Sequence, residues 1–171
     1  MKNFEERLKG GHPNSLGNTV EVVEEVLEKN ELFGELFQCY FSNDEVVRLR
    51  TSNAMKRIGK ADKTILIPYI DRLLTEIAQI NQASAQWTLA QLFLLLEKDM
   101  SYNQIAKATD IMKDNLEKHD DWIVLNQTMA TLARWAKKDT SLKDWLIPQL
   151  ERFSADTRKS VSGRAKKLMP K

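Results

Sequence analysis

The chain has few of the residues from which most catalytic and metal sites are built. Its 171 residues include one cysteine, Cys39, and two histidines, His12 and His119. A single cysteine excludes an internal disulfide, and two histidines without spaced cysteine partners do not make a zinc site. Cys39 stands beside Phe37 and Tyr40 and is predicted to be a small buried hydrophobic residue. We therefore expect neither a metal nor a cofactor.

Long apolar runs are also missing. The longest one, Leu92 to Leu96, is far shorter than the ~20 residues that cross a bilayer. The first residues, Met1 to Glu6, lack the apolar segment of a signal peptide. The content of 42% hydrophobic and 29% charged residues is typical of a folded, water-soluble chain. We expect a cytoplasmic protein without membrane contacts, folded as a single domain over residues 1–171.

Glycine and proline are scarce, and no stretch alternates apolar and polar residues as a β-strand would. A β-rich fold is therefore excluded. Apolar residues recur instead at spacings of three and four, which predicts helices throughout. The stretch from Leu89 to Leu96 is apolar on all sides, which predicts the most buried helix of the fold. The predicted helices lie near 18–29, 32–40, 44–58, 65–79, 83–97, 102–117, 121–137, 141–153 and 155–168.

Local signals predict several helix ends. Asn18 followed by Glu21 resembles a capping box, in which two side chains bond each other's backbone amides. Asp44 is predicted to cap the third helix, and Gly59 to end it. Pro68 falls in the first turn of the next helix, where a missing backbone donor costs little. These signals predict short turns between the helices.

The helices form an internal repeat. Leu66–Leu73 matches Leu146–Phe153, and the offset from position 66 to position 146 equals two repeats of 40 residues. Helix pairs that repeat in this way bury their faces against their neighbours. Small residues at equivalent places in the second helices are predicted to allow close helix approach, namely Ala54, Ala90, Ala130 and Ala165.

The segment from Asp44 to Ala54 resembles the HEAT-repeat consensus, in which an aspartate begins the second helix and an arginine follows six residues later, here Arg50. The resemblance implies an all-α fold, a short right-handed α-α superhelix of about four HEAT-like helical hairpins with an N-terminal capping helix. It also implies that Asp44 and Arg50 belong to a structural ladder between neighbouring repeats. The implied repeats are 31–62, 65–99, 103–139 and 142–169, after a capping helix at 18–29. In the later repeats Arg50 is replaced by Gln86, Asn126 and Val161.

In HEAT-repeat proteins the second helices line a concave surface. The resemblance therefore implies a non-enzymatic scaffold or adaptor that binds a protein or peptide there. Trp87 would suit an interface anchor, because tryptophan buries a large rigid surface and keeps a donor. The alternative is that Trp87 packs into the neighbouring repeat. The residues implied at this surface are Arg48, Arg50, Gln86, Trp87, Asn126 and Gln127.

Charge is unevenly distributed although the net charge is only +2. Segment 19–31 is acidic, and the segment after Ser154 is basic. The basic segment predicts either the solvated cap of a solenoid or, as an alternative function, a nucleic-acid interface. We favour the cap, because no aromatic residue follows Phe153 to stack on bases. The candidate nucleic-acid contacts are Arg158, Lys159, Arg164, Lys166 and Lys167.

Catalytic motifs are missing from the sequence, which contains neither a glycine-rich phosphate loop nor a G-x-S-x-G turn. Trp87, and Trp122 beside Asp121, invite comparison with the HEAT-like alkylpurine DNA glycosylases, whose cleft uses tryptophans and an aspartate. The chain is short for that family and lacks its basic balance, so this is the weaker alternative. Trp135 and Trp145 lie on apolar faces and are predicted to be core. We expect no enzyme and no small-molecule substrate.

Overall fold

The computed structural model describes residues 3–171, and within that range the chain is 78% helical with no strand. The prediction of an all-α protein is confirmed. Short 3-10 turns connect or extend several helices, at Asn30–Leu32, Cys39–Phe41, Lys63–Ile65, Ile67–Tyr69, Ile77–Gln79 and Glu97–Asp99. The α-helices of the described range are α1 (Phe4–Leu8), α2 (Thr19–Glu28), α3 (Phe33–Gln38), α4 (Glu45–Ala61), α5 (Ile70–Thr75), α6 (Ala83–Leu95), α7 (Tyr102–Lys118), α8 (Trp122–Ala136), α9 (Thr140–Ser154) and α10 (Lys159–Leu168).

Two of the predicted helix ends differ from the structure. The Asn18 side chain forms no cap bond to α2, because its amide donates instead to the carbonyl oxygen of Arg7 at 3.0 Å. A capping box occurs at Ser101 and Gln104, where each side chain accepts from the other residue's backbone N–H. Gly59 does not end α4, which continues to Ala61 with Gly59 buried inside it. The prediction for Asp44 is confirmed, since its Oδ1 accepts from the N–H of Val46 at 2.8 Å.

Two predicted helices are shorter than the apolar spacing indicated. The helix predicted over 65–79 is only α5, flanked by 3-10 turns, and Pro68 lies in the turn before it. Pro68 lacks a backbone N–H, but Pro148, at the matching position of the repeat, lies inside the continuous helix α9, so the proline by itself does not set the start of α5. The helix predicted from residue 155 begins at Lys159, because the Asp156 carboxylate accepts from the N–H of Arg158 and holds the preceding residues in a turn. Helix α1 was not predicted, since five residues are too few to show a period.

The chain divides into two compact units, one ending at Thr88 and one running from Leu89 to Lys171. In the first unit, α4 packs against α1, α2 and α3. Its core is rich in aromatic side chains, with Phe33, Phe37 and Tyr40 fully buried. Cys39 is only 4% exposed, and its thiol lies 3.6 Å from the carbonyl oxygen of Glu35. The prediction that Cys39 is a buried hydrophobic residue is confirmed.

In the second unit, α8 packs against α7, α9 and α10. Trp135 is buried there, as predicted, whereas Trp145 is half-buried with the Lys113 ammonium 4.9 Å above its ring. Of the four alanines predicted to allow close helix approach, three are buried and Ala130 is half-buried. No helix among residues 3–171 combines the length and the apolar character needed to span a bilayer.

Candidate functional site

Arg50, one of the residues implied at the binding surface, lies in the interior of the first unit and is 2% exposed. Its guanidinium donates to the carbonyl oxygens of Leu8 at 2.7 Å, Gly10 at 2.6 Å, His12 at 3.3 Å and Ser15 at 3.2 Å. Asp44 uses its carboxylate to cap its own helix. Arg50 therefore holds the loop after α1 through backbone carbonyls, and the structure does not place its charge at a surface.

Arg48 and Gln86 also have internal partners in the first unit. The Arg48 guanidinium donates to Gln82 Oε1 and to the carbonyl oxygen of Ser42, both at 2.6 Å. The Gln86 amide donates to the carbonyl oxygen of Ile80 at 2.9 Å, and the residue is 6% exposed. Both side chains therefore hold the chain around the start of α6. Trp87, which precedes the end of this unit, is half-buried.

Asn126 and Gln127 belong to the second unit, on α8. Asn126 is buried, and its amide donates to the carbonyl oxygen of Ser160 at 3.4 Å. Gln127 is half-buried. Trp122 is 49% exposed at the start of the same helix, and the neighbouring Asp121 carboxylate caps that helix by accepting from the N–H groups of Ile123 and Val124.

The candidate nucleic-acid residues separate into two groups. Arg158 forms ion pairs with Asp156 at 2.9 Å and with Asp120 at 3.3 Å, so its charge is neutralised locally. The pKa of Asp156 is lowered to about 2, chiefly because its carboxylate accepts hydrogen bonds from the Arg158 side chain. Lys159, Lys166, Arg164 and Lys167 are all exposed on α10, and the last two line a groove.

This groove has a volume of about 570 Å³ and is formed where α8, α9 and α10 pack against one another. Small side chains of α8 leave the space open: Ala130, Ala133 and Ala136 follow one another at every third position, which places them along one side of the helix. The opposite walls come from α9 and α10. The apolar residues of the lining include Leu94, Leu146, Ile147, Leu150, Leu168 and Met169.

Cationic side chains surround this apolar floor. Two pairs lie at a spacing of three, on α8 and on α10, so the members of each pair project from one side of their helix. All five cations are exposed, and within residues 3–171 none of them forms an ion pair with a carboxylate. They are Arg134, Lys137, Lys143, Arg164 and Lys167, and we call them the groove cations.

No carboxylate of the described residues belongs to the groove lining. Five like charges around one depression repel each other, and a concave site with low-dielectric walls concentrates their potential. An anionic group entering the groove relieves this repulsion, and an apolar group beside it gains from burial. The groove is therefore suited to a ligand that combines negative charge with apolar surface.

Sequence reasoning found two of the groove cations, Arg164 and Lys167, through the basic composition of the last segment. It missed Arg134 and Lys137, which lie three residues apart at the end of α8. It also missed Lys143, which lies in the first turn of α9. The spacing of Arg134 and Lys137 was a usable signal, because charges three apart share a helix face. Nothing in the sequence placed that face beside α10.

The chain matches no protein-family model, and comparisons with curated proteins and with solved structures likewise found no match.

Proposed function

We propose that the chain is a non-enzymatic binding module, a HEAT-like scaffold of helix pairs, whose groove receives an acidic, partly apolar segment of a protein. The observation that supports this proposal is that, within residues 3–171, the five groove cations form no ion pair and surround an apolar floor whose lining contains no carboxylate. A helical peptide with glutamates beside leucines carries both features on one face, and helices commonly dock into such grooves by that face.

The proposed binding surface differs in position from the one implied by the HEAT resemblance. Arg50, Gln86 and Asn126 are buried, so the proposed contact uses the groove cations and the floor between α8, α9 and α10. Trp87 on α6 and Gln127 on α8 are half-buried, and each is a candidate for a separate contact with a partner.

A nucleic acid is the competing ligand, because phosphates would pair with the same cations. Two features favour a peptide. The floor is apolar, which suits aliphatic side chains better than a sugar-phosphate backbone. No aromatic side chain of the described residues lines the groove, so bases would have no ring to stack on.

The direct test is fluorescence anisotropy with a labelled helical peptide that carries glutamate and leucine on one face, and with a labelled oligothymidylate as the second probe. We expect the peptide to bind and the double variant Arg164→Gln, Lys167→Gln to weaken it by roughly tenfold, because both cations line the groove. The matched control is Lys159→Gln, Lys166→Gln, which removes the same charge from exposed positions of α10 outside the groove. Equal weakening by both pairs, or tighter binding of the oligothymidylate, would contradict the proposal.

The apolar floor is tested separately by Ala133→Phe, which places a ring in the groove. We expect peptide binding to be lost while the melting temperature changes little, since Ala133 is half-buried and faces open space. The control is Ala106→Phe, at an exposed position of α7. Binding that survives Ala133→Phe would show that the contact is only with the charges.

A further inference from the structure

The outer face of α2 carries exposed carboxylates, which are missing from the groove lining as far as the described residues show. Residues 22, 23 and 26 of this helix are buried, and on the opposite side Glu21, Glu24 and Glu28 are exposed. Their spacings of three and seven place the three carboxylates in one stripe. None of them forms an ion pair within residues 3–171.

Apolar side chains lie along the same face. Val20 is 36% exposed and Leu27 is half-buried. Val20 lies four residues before Glu24, and Leu27 lies three residues after it. The face therefore combines carboxylates with aliphatic surface over a helix of ten residues. The fourth glutamate of the helix, Glu25, lies elsewhere on its surface and is paired with Arg7 at 2.6 Å.

We propose that α2 of a second copy of this chain is an occupant of the groove. This inference rests on the proposed function, since it names the partner of the same site. The stripe and the groove cations are complementary in charge and in spacing: Glu21 and Glu24 are three residues apart, as are Arg134 and Lys137, and as are Arg164 and Lys167. Each pair therefore spans slightly less than one turn of its helix, about 4.5 Å along the axis.

The contact is heterologous, because the acidic face and the groove are different surfaces of the chain. Each copy bound through its α2 leaves its own groove open to another copy, so association either closes by a second, reciprocal contact or continues into longer assemblies. A ten-residue helix covers less area than a stable dimer needs, so the association is transient and sensitive to salt.

The test is sedimentation velocity of the full chain over a wide range of concentration at low ionic strength. We expect the mean mass to rise with concentration and to return to that of a monomer at about 0.5 M salt. Two charge-reversed proteins are then compared: one carries Glu21→Lys, Glu24→Lys and Glu28→Lys, and the other carries Arg134→Glu, Lys137→Glu, Arg164→Glu and Lys167→Glu. Each alone should remain monomeric, and circular dichroism would verify that each is folded.

Mixing the two reversed proteins restores two complementary contacts. The basic α2 of the first protein meets the acidic groove of the second, and the acidic α2 of the second meets the basic groove of the first. We expect the mixture to associate at least as strongly as the wild type. The matched control is a protein carrying Lys159→Glu and Lys166→Glu, which places negative charge on α10 outside the groove. Because this protein keeps the groove cations and the acidic face of α2, it should by itself associate as the wild type does, whereas the groove-reversed protein should not.

A wild type that stays monomeric at low salt, or a mixture that stays monomeric, would overturn the proposal of self-association. The groove proposal is judged independently by the peptide titration described above. Peptide binding by a monomeric wild type would leave the groove as a site for another protein, whereas loss of both results would reject the two proposals together.

Discussion

A Cβ atom at position 17 would lie 2.9 Å from Cζ of Arg50, so the guanidinium occupies the space that any side chain other than glycine would need. Gly17 also has φ +51°, in the left-handed region that L-residues rarely adopt. The two residues are 33 positions apart in the sequence, counted from position 17 to position 50. This close approach lets Arg50 reach the carbonyl oxygens of the loop after α1.

Gly17→Ala should therefore destabilise the first unit by about 2–4 kcal/mol, which combines the backbone strain with displacement of the guanidinium. The measurement is urea unfolding followed by circular dichroism. Gly10→Ala is the matched control, because Gly10 has φ +79° but, apart from its chain neighbours, no atom of the described residues lies within 4 Å of the place that a Cβ would take. It should lose only about 1–2 kcal/mol from strain. Equal losses at the two positions would show that the contact with Arg50 does not matter.

Arg50→Lys should be strongly destabilising although it preserves the charge. A lysine ammonium cannot reproduce the planar arrangement that serves four carbonyl oxygens. A buried acceptor left unpaired, such as the carbonyl oxygen of Leu8, costs about 1–3 kcal/mol, and the three part-buried acceptors cost less because water can reach them. We expect a loss of roughly 3 kcal/mol and faster amide hydrogen exchange over residues 8–18. Arg57→Lys, at an exposed position of the same helix, should change neither quantity. Unchanged exchange in Arg50→Lys would contradict the assigned role.

Cys39 should give the folded state a stability that falls at high pH. Burial, with smaller contributions from Glu5 and Glu35, raises the pKa of its thiol from 9.0 to about 12. Between these values the unfolded chain releases a proton that the folded chain retains, so rising pH favours unfolding. Cys39→Val should reduce the slope of unfolding free energy against pH above pH 9, while Tyr40, whose pKa is also raised by burial, maintains part of it.

The thiol itself provides a second measurement for Cys39. Since it is buried and protonated, we expect a thiol reagent to modify it slowly in the folded protein and rapidly in urea. Similar rates in the two conditions would mean that Cys39 is accessible in the folded state.

The carboxylate of Asp156 should titrate well below its ordinary range. Hydrogen bonds from the Arg158 side chain, and one from its backbone N–H, lower the pKa from 3.8 to about 2. Because the folded value lies below the unfolded one, the stabilisation is present above about pH 4 and is lost as the pH falls towards 2. Arg158→Gln should raise the pKa of Asp156 towards 3.8 in an NMR titration, whereas Arg164→Gln, a change elsewhere on the basic segment, should leave it unchanged.

Much of the secondary structure follows from local signals in the sequence. Apolar spacings of three and four predict helices because this period places side chains on one face, and the long helices α4, α7, α8 and α9 lie where this spacing predicted them. Asp44 was readable as a cap because a short acceptor side chain before a helix bonds the free N–H groups of the first turn. Apolar spacing does not predict the 3-10 turns on both sides of α5. It also places the start of α10 too early, because the hydrogen bond that the Asp156 carboxylate accepts from the N–H of Arg158 holds this segment in a turn.

The roles of Arg50 and of the groove cations depend on tertiary structure alone. The consensus position of Arg50 suggested a repeat ladder and a surface charge. Its guanidinium instead donates to carbonyl oxygens about 40 residues earlier in the sequence, which come close to it only when the chain folds. Arg134, Lys143 and Arg164 each look like an ordinary solvated charge on their own helix. Helical periodicity tells which face of one helix a residue occupies, and only the packing of α8, α9 and α10 decides that three such faces surround a single apolar groove.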